Sequence, residues 1–240
     1  MRTYLTRGTI GQRCICLIVF SVTVVMSASP QPFADEIAAF EAKDRDCPPP
    51  EGAIVAVGSS SMRGWHQKIQ EDLSPLTVIS RGFGGSTLKA VNMYLDRIVL
   101  PYKPRAILLY EGDNDIWRGA KPDQFMEQFQ SFKHRVFEQN SQCRVYVISI
   151  KPSLSRWGVW PRMEEANALL EADCAKDERL TFLDVSKVMF GKDGKPKKEI
   201  FQSDKLHMTR DGDLAWLKVI KPVLMEKELQ FEKSSETVPH

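Results

Sequence analysis

Histidine is scarce in this chain of 240 residues, which holds only His66, His134, His207 and His240. No other His or Cys lies near His207, so nothing around it has the spacing of a metal site. Acidic residues are missing from the first 34 positions, where Arg2, Arg7 and Arg13 precede or open the apolar run "CICLIVFSVTVVMSA". The pattern is that of a signal peptide over residues 1–28, cleaved after Ala28 or after Ser27. The competing reading is an uncleaved anchor, but that run is about 15 residues long, short of the roughly 20 that a spanning helix needs. Export to the periplasm or the medium is therefore expected, with no stable membrane insertion after cleavage. Cys14 and Cys16 open the apolar run instead of following it, which argues against a lipid-attachment site.

An excess of positive charge is also lacking. Lys and Arg number 33 against 31 acids, and removing the three leader arginines leaves 30 against 31. The sequence pI of about 8.2 thus belongs to the leader. The one lysine cluster, "GKDGKPKKE" at 191–199, carries Gly and Pro and reads as a solvated loop. No nucleic-acid partner is expected. Nor is there an internal repeat or a linker, so residues 29–232 are expected to form one domain, followed by a polar tail, 233–240.

What is present is alternation. The runs "AIVAV" (53–57), "LTVIS" (76–80), "AILLY" (106–110), "RVYVISI" (144–150) and "LTFLDV" (180–185) read as five strands, apolar enough to be buried on both faces and hence parallel. Between and after them, helices are expected at about 61–71, 87–99, 122–139, 161–176 and 211–227. In 122–139, Phe125, Phe129, Phe132 and Val136 form one apolar stripe behind Pro122, a residue suited to a helix start. Such alternation predicts an α/β protein, a three-layer α/β/α sandwich around a five-stranded parallel sheet.

Ligands of such sheets gather outside the carboxyl ends of the strands. There the chain carries "GSSSMRGW" (58–65), "RGFGGST" (81–87), "EGDNDIW" (111–117), "KPSLSRWGVWP" (151–161) and a loop ending in "SDKLH". A histidine paired with an aspartate three residues earlier becomes a general base for acyl transfer once a nucleophile is near, and Ser60 follows the first strand. An oxyanion then needs donors, which a glycine N–H and an asparagine amide supply. Gly85 and Asn114 stand in suitable loops. "GFGGS" lacks the G-x-G-x-x-G spacing of a dinucleotide loop.

Four of these blocks, in this order, resemble the SGNH hydrolases, also called GDSL esterases, over about residues 52–224. "GSSS" is similar to the first block with Ser60 as nucleophile, "GFGGST" to the second with Gly85 as donor, "GDND" to the third with Asn114 as donor, and "DKLH" to the last with Asp204 and His207. The resemblance implies a flavodoxin-like SGNH fold and a serine esterase with a Ser60–His207–Asp204 triad. Its oxyanion hole comprises the Ser60 and Gly85 N–H groups and the Asn114 amide. It requires no metal or organic cofactor, and its partner is a small-molecule or carbohydrate ester. The family commonly has Asp before the serine, where this chain has Ser59, so Ser59 and Ser61 are the competing hydroxyls. The alternative is a non-catalytic binding module that retains the fold.

Two further expectations follow from position. Trp117, Arg118, Arg156, Trp157 and Trp160 are candidates for aromatic and cationic cleft walls suited to a sugar or an anionic acyl group, while roles for Arg63, Trp65, Arg81, Asp113 and Asp115 stay open. Cys47, Cys143 and Cys174 are expected at the sheet edge opposite the site, with Cys143 bridged to Cys174.

Overall fold

The computed structural model describes residues 31–232. The expected leader, 1–28, and the tail, 233–240, lie outside the described residues.

Five strands, β1 (Ile54–Gly58), β2 (Val78–Gly82), β3 (Ala106–Tyr110), β4 (Arg144–Ile148) and β5 (Leu180–Leu183), pair in parallel in the order β2-β1-β3-β4-β5. Their side chains alternate between two apolar layers, as strand geometry requires. Val55, Val57, Ile107, Leu109, Val145 and Val147 face one layer; Ile54, Ala56, Leu108, Tyr110, Tyr146 and Ile148 face the other. Burying each aliphatic side chain stabilises by roughly 1.5–3 kcal/mol.

The first layer is covered by α1 (Ala34–Asp46), α3 (Leu88–Ile98), α5 (Pro122–Gln139) and α6 (Trp160–Cys174). The second is covered by α2 (Ser60–Asp72), the short α7 (Ser186–Met189) and α8 (Arg210–Glu228). A single turn and a half, α4 (Asp113–Trp117), follows β3. Phe125, Phe129, Phe132 and Val136 of α5 are all buried, so its stripe is core. Among the described residues no helix is long and apolar enough to cross a membrane.

Two departures from the sequence reading are informative. Strand β2 starts two residues later than expected, because the Leu76 N–H closes a turn on the Leu73 carbonyl after α2. It also runs into Arg81, whose charge reads as loop. That side chain is instead buried, donating to Asp44 at 2.6 Å and to the Tyr102 hydroxyl at 2.8 Å. Helix α1, not expected at all, buries only Ile37 and rests Phe40 on the core, too thin a stripe to stand out.

The expected Cys143–Cys174 bridge is not formed; Cys47, Cys143 and Cys174 are free thiols. Cys143 packs at the entry to β4, with Sγ 3.7 Å from the Arg144 carbonyl oxygen, and Cys174 ends α6. Both act as small apolar residues of one core cluster. Burial pushes both thiols up to about 12.

Candidate active site

The site begins with a close backbone approach. Gly58 ends β1 at φ +154, and a Cβ there would lie 2.2 Å from the Tyr110 carbonyl oxygen, so only glycine lets β1 turn directly into α2. The turn places Ser60 as the first residue of α2, where the helix N–H groups have no intrahelical acceptor and the helix dipole favours negative charge. Of the three hydroxyls in "GSSS", those of Ser59 and Ser61 belong to buried residues, at 2% and 6% exposure. Ser60 alone is half-buried and reaches the imidazole.

His207 stands on a tight loop between the 3-10 turn Lys198–Ile200 and α8, the helix that shares the second layer with α2. Phe201 and Met208 form an antiparallel bridge, and the Gln202 N–H donates to the His207 carbonyl at 2.8 Å. Inside this loop Asp204 Oδ1 accepts the N–H groups of Leu206 (2.9 Å) and His207 (3.0 Å). Its Oδ2 lies 2.5 Å from His207 Nδ1, and His207 Nε2 lies 2.9 Å from Ser60 Oγ. The bond to the imidazole, helped by the two backbone donors, holds the Asp204 carboxyl down at about 2 against burial. The three side chains that the sequence singled out thus form one hydrogen-bonded chain.

Gly85 and Asn114 make no hydrogen bond to Ser60. Register brings their loops alongside it: Gly58 pairs with both Gly82 and Tyr110, so the segments carrying Ser60, Gly85 and Asn114 leave three adjacent strands at one level. This is where the strand order reverses, the usual ligand site of such sheets. Gly85 holds a left-handed φ of +76. Asn114 donates from Nδ2 to the Ser86 carbonyl at 2.8 Å and accepts at Oδ1 from Arg156 Nη2 at 3.0 Å. The amide is therefore held at both ends, with one N–H left over.

Arg156 and Lys151 complete a buried charge cluster under this loop. Arg156 Nη1 and Lys151 Nζ donate to the two oxygens of Asp113 at 2.6 and 2.9 Å. Burial raises the Asp113 carboxyl, but the two cations outweigh it and the net shift is downward. Arg156 is accordingly not the exposed cationic wall expected from sequence. Trp157 and Trp160 are not walls either; they stack on each other and pack edge-on against Phe190. Trp117, 49% exposed, and the exposed Arg118 do remain at the rim. The Arg118 guanidinium approaches Gly85, lying 3.5 Å from where its Cβ would stand.

The residues left open also find their places. Asp115 accepts the Leu88 and Gly112 N–H groups and so fastens the third loop to α3. Trp65 is core, donating to Asp72 at 2.6 Å. Arg63 is exposed and pairs with Glu36 of α1, which also accepts the Gly84 N–H. Sequence reasoning missed Lys151, whose burial is visible only once β4 is placed. It also missed Glu111, whose Oε1 lies 2.5 Å from Ser86 Oγ.

A cleft of about 320 Å³ opens at Ser60 and His207, with Arg63, Gln202, Met208 and Asp213 on its walls. Asp213 is raised to about 6 by burial. A larger groove of about 630 Å³ along α8 contains no nucleophile beside a base, so size does not mark the site. Among the described residues no group of three or more His, Cys, Asp or Glu is arranged to hold a metal ion.

A parallel α/β sandwich with a serine, a histidine and an aspartate in line at the strand ends defines the hydrolase class of protein. The family model of the GDSL-like lipase/acylhydrolases matches residues 50–214, and the chain belongs to that family, an SGNH-type hydrolase. Among curated proteins none matches it. Among solved structures it is similar to a GDSL-like lipase from Bacteroides thetaiotaomicron (18% identity, 79% of this chain and 97% of that one, TM-score 0.68). It is also similar to the lipase/acylhydrolase from Enterococcus faecalis (22%, 73% and 96%, 0.60) and to an acetyl esterase variant solved with an acetate ion (14%, 75% and 100%, 0.58). At these identities the likeness is one of fold.

Proposed function

We propose that the protein is a serine esterase that hydrolyses small or carbohydrate-linked carboxylic esters. The observation that carries this reading is the unbroken chain from Ser60 Oγ through His207 to Asp204. Ser60 Oγ attacks the ester carbonyl carbon while His207 Nε2 takes its proton. Asp204, ionised throughout, keeps Nδ1 protonated and stabilises the imidazolium. The oxyanion settles against the N–H groups of Ser60 and Gly85 and the spare N–H of Asn114. Collapse expels the alcohol, protonated by His207, and water activated by the same imidazole releases the acid from Ser60.

A short acyl group suits the volume of the cleft, and the acetyl esterase among the similar folds is consistent with that choice. The exposed Trp117 offers an apolar face to a sugar ring on the alcohol side. Export, inferred from the arginine-flanked apolar run, puts the enzyme where extracellular esters are met.

Purified wild type and Ser60→Ala should be compared on short p-nitrophenyl esters, acetylated sugars and lysophospholipids. Hydrolysis by the wild type that Ser60→Ala abolishes is the expected result. No hydrolysis of any ester, with binding of the same compounds retained, would make the chain a binding module on this fold.

A further inference from the structure

Ser86 is fully buried and has one hydroxyl proton but two neighbours that accept. Its Oγ lies 3.0 Å from the Phe83 carbonyl oxygen and 2.5 Å from Glu111 Oε1. One proton serves one of these bonds. The carbonyl has none to offer, so for both contacts to be hydrogen bonds the second hydrogen sits on Glu111. The other oxygen of the same carboxyl points to the same answer. Glu111 is 2% exposed, and Oε2 is buried without a hydrogen-bond partner among the described residues. An ionised carboxylate there would leave charge on a buried oxygen that no donor reaches, which is strongly unfavourable.

The charges around Glu111 act in the same direction. Asp113 and Asp115, both acidic, follow it on α4, while the one cation that bears on it, Arg118, is exposed to solvent. Burial first, then the charge of Asp115, pushes the Glu111 carboxyl well above the usual carboxylate range, against the opposing pull of Ser86.

We propose that Glu111 is a neutral carboxylic acid whose proton is donated to Ser86, and that this bond positions both side-chain and backbone donors of the oxyanion hole. Ser86 is the joint between them: it directly follows Gly85 in the chain, and its carbonyl accepts the Asn114 amide at 2.8 Å. The line of donation runs from Glu111 to Ser86 Oγ and on to the Phe83 carbonyl, which fastens the turn carrying Gly84 and Gly85 to the start of α4. Glu111 touches no substrate atom and acts through Ser86, so it is a positioning residue. The role rests on the esterase reading above, whereas the protonation state does not.

Two measurements on the full chain test this. In the first, glutamine replaces Glu111; its Nε2–H restores the donor to Ser86, so Glu111→Gln should keep kcat within about threefold of wild type. Glu111→Met, which removes the donor at similar volume, should lower kcat with little change in KM. That loss should be smaller than the roughly 10²–10³-fold of a missing oxyanion donor. Ser86→Ala combined with Glu111→Met should lose little more than either alone, because both break one bond. A Glu111→Gln variant that is folded by circular dichroism yet as impaired as Glu111→Met would overturn the proposal.

The second is an infrared difference spectrum, wild type minus Glu111→Gln, at mildly alkaline pH. A carbonyl stretch of a protonated carboxyl is expected; a carboxylate band in its place defeats the idea. Should the wild type hydrolyse no ester, the esterase reading falls with the kinetic arm, and the infrared band still decides the state of Glu111.

Discussion

The β3–β4 pair carries a buried carboxylate at each end, and the two are built alike. At the amino end Glu228 accepts from Arg105 at 3.1 Å, from Arg144 at 2.5 and 2.9 Å and from the Tyr146 hydroxyl at 2.6 Å. At the carboxyl end Asp113 accepts from Lys151, Arg156 and, at 3.4 Å, the Tyr110 hydroxyl. The difference lies in where the spare donors go. Those of Arg105 turn to Glu232 and the Gly52 carbonyl, and the Arg144 guanidinium lies 4.1 Å from the Phe231 ring centroid. The spare donor of Arg156 turns outward to Asn114. A buried ion cluster thus serves as a clamp at one end and, at the other, as a mount for the Asn114 amide.

The comparison can be broken most sharply at the carboxyl end. Ser60→Ala should lower kcat by about a millionfold, and His207→Ala by about as much, since nucleophile and base work as a unit. Neither should shift the melting temperature much, because neither side chain is core. If Ser59→Ala or Ser61→Ala had that effect and Ser60→Ala did not, the register of the first block would be wrong.

Asp113→Ala and Glu228→Ala sharpen it next. Asp113→Ala leaves Lys151 and Arg156 without a carboxylate, and Glu228→Ala leaves Arg144 without one while Arg105 keeps Glu232, so Asp113→Ala should cost about 3–5 kcal/mol in urea unfolding and Glu228→Ala less. Only Asp113→Ala should also lower kcat, through Arg156 and Asn114. An equal loss of kcat in Glu228→Ala would erase the distinction between clamp and mount. Asn114→Ala should cost roughly 10²–10³ in kcat, with stability nearly unchanged by comparison.

Smaller effects come from pH. Asp204, held at about 2 by its bond to His207, contributes stability above its ordinary 3.8 that is lost as pH falls toward 2. Asp213 behaves oppositely. Burial raises it to about 6, so the folded protein holds the extra proton between 3.8 and 6, and the contribution is lost as pH rises through that window. Melting curves should show that Asp213→Asn flattens this decline while Asp204→Asn leaves it in place. The smallest change expected is Trp117→Ala, about a fivefold rise in KM on acetylated sugars, equivalent to about 1 kcal/mol, and none on p-nitrophenyl acetate.

Much of this molecule could be read before it was seen. Ser60 was legible because it follows the first strand, where the apolar run stops and polar residues take over, and Asp204 and His207 because they stand three residues apart just before the last amphipathic helix. The parallel sheet was legible in runs such as "AILLY", which admit burial on both faces. What stayed hidden depends on partners distant in sequence. Arg81 looks like a loop residue until Asp44 and Tyr102 receive it; Trp157 and Trp160 look like cleft walls until Phe190 meets them. Cys143 and Cys174 share a core cluster, but as packing residues without a bond between them. Glu111 lies in a motif that was recognised, yet its isolation from any donor at Oε2 is a property of the packed core alone.

The unbridged thiols carry a practical consequence. Cys143 and Cys174 are shielded and weakly acidic, which leaves Cys47 as the one exposed thiol among the described residues. It lies just past the end of α1, a helix about 20 Å long whose opposite end touches Gly84 through Glu36. In a chain prepared without residues 1–28, a maleimide-coated bead or a single fluorophore would therefore attach at one defined point. The enzyme would be tethered by its back, with the cleft turned to the solution.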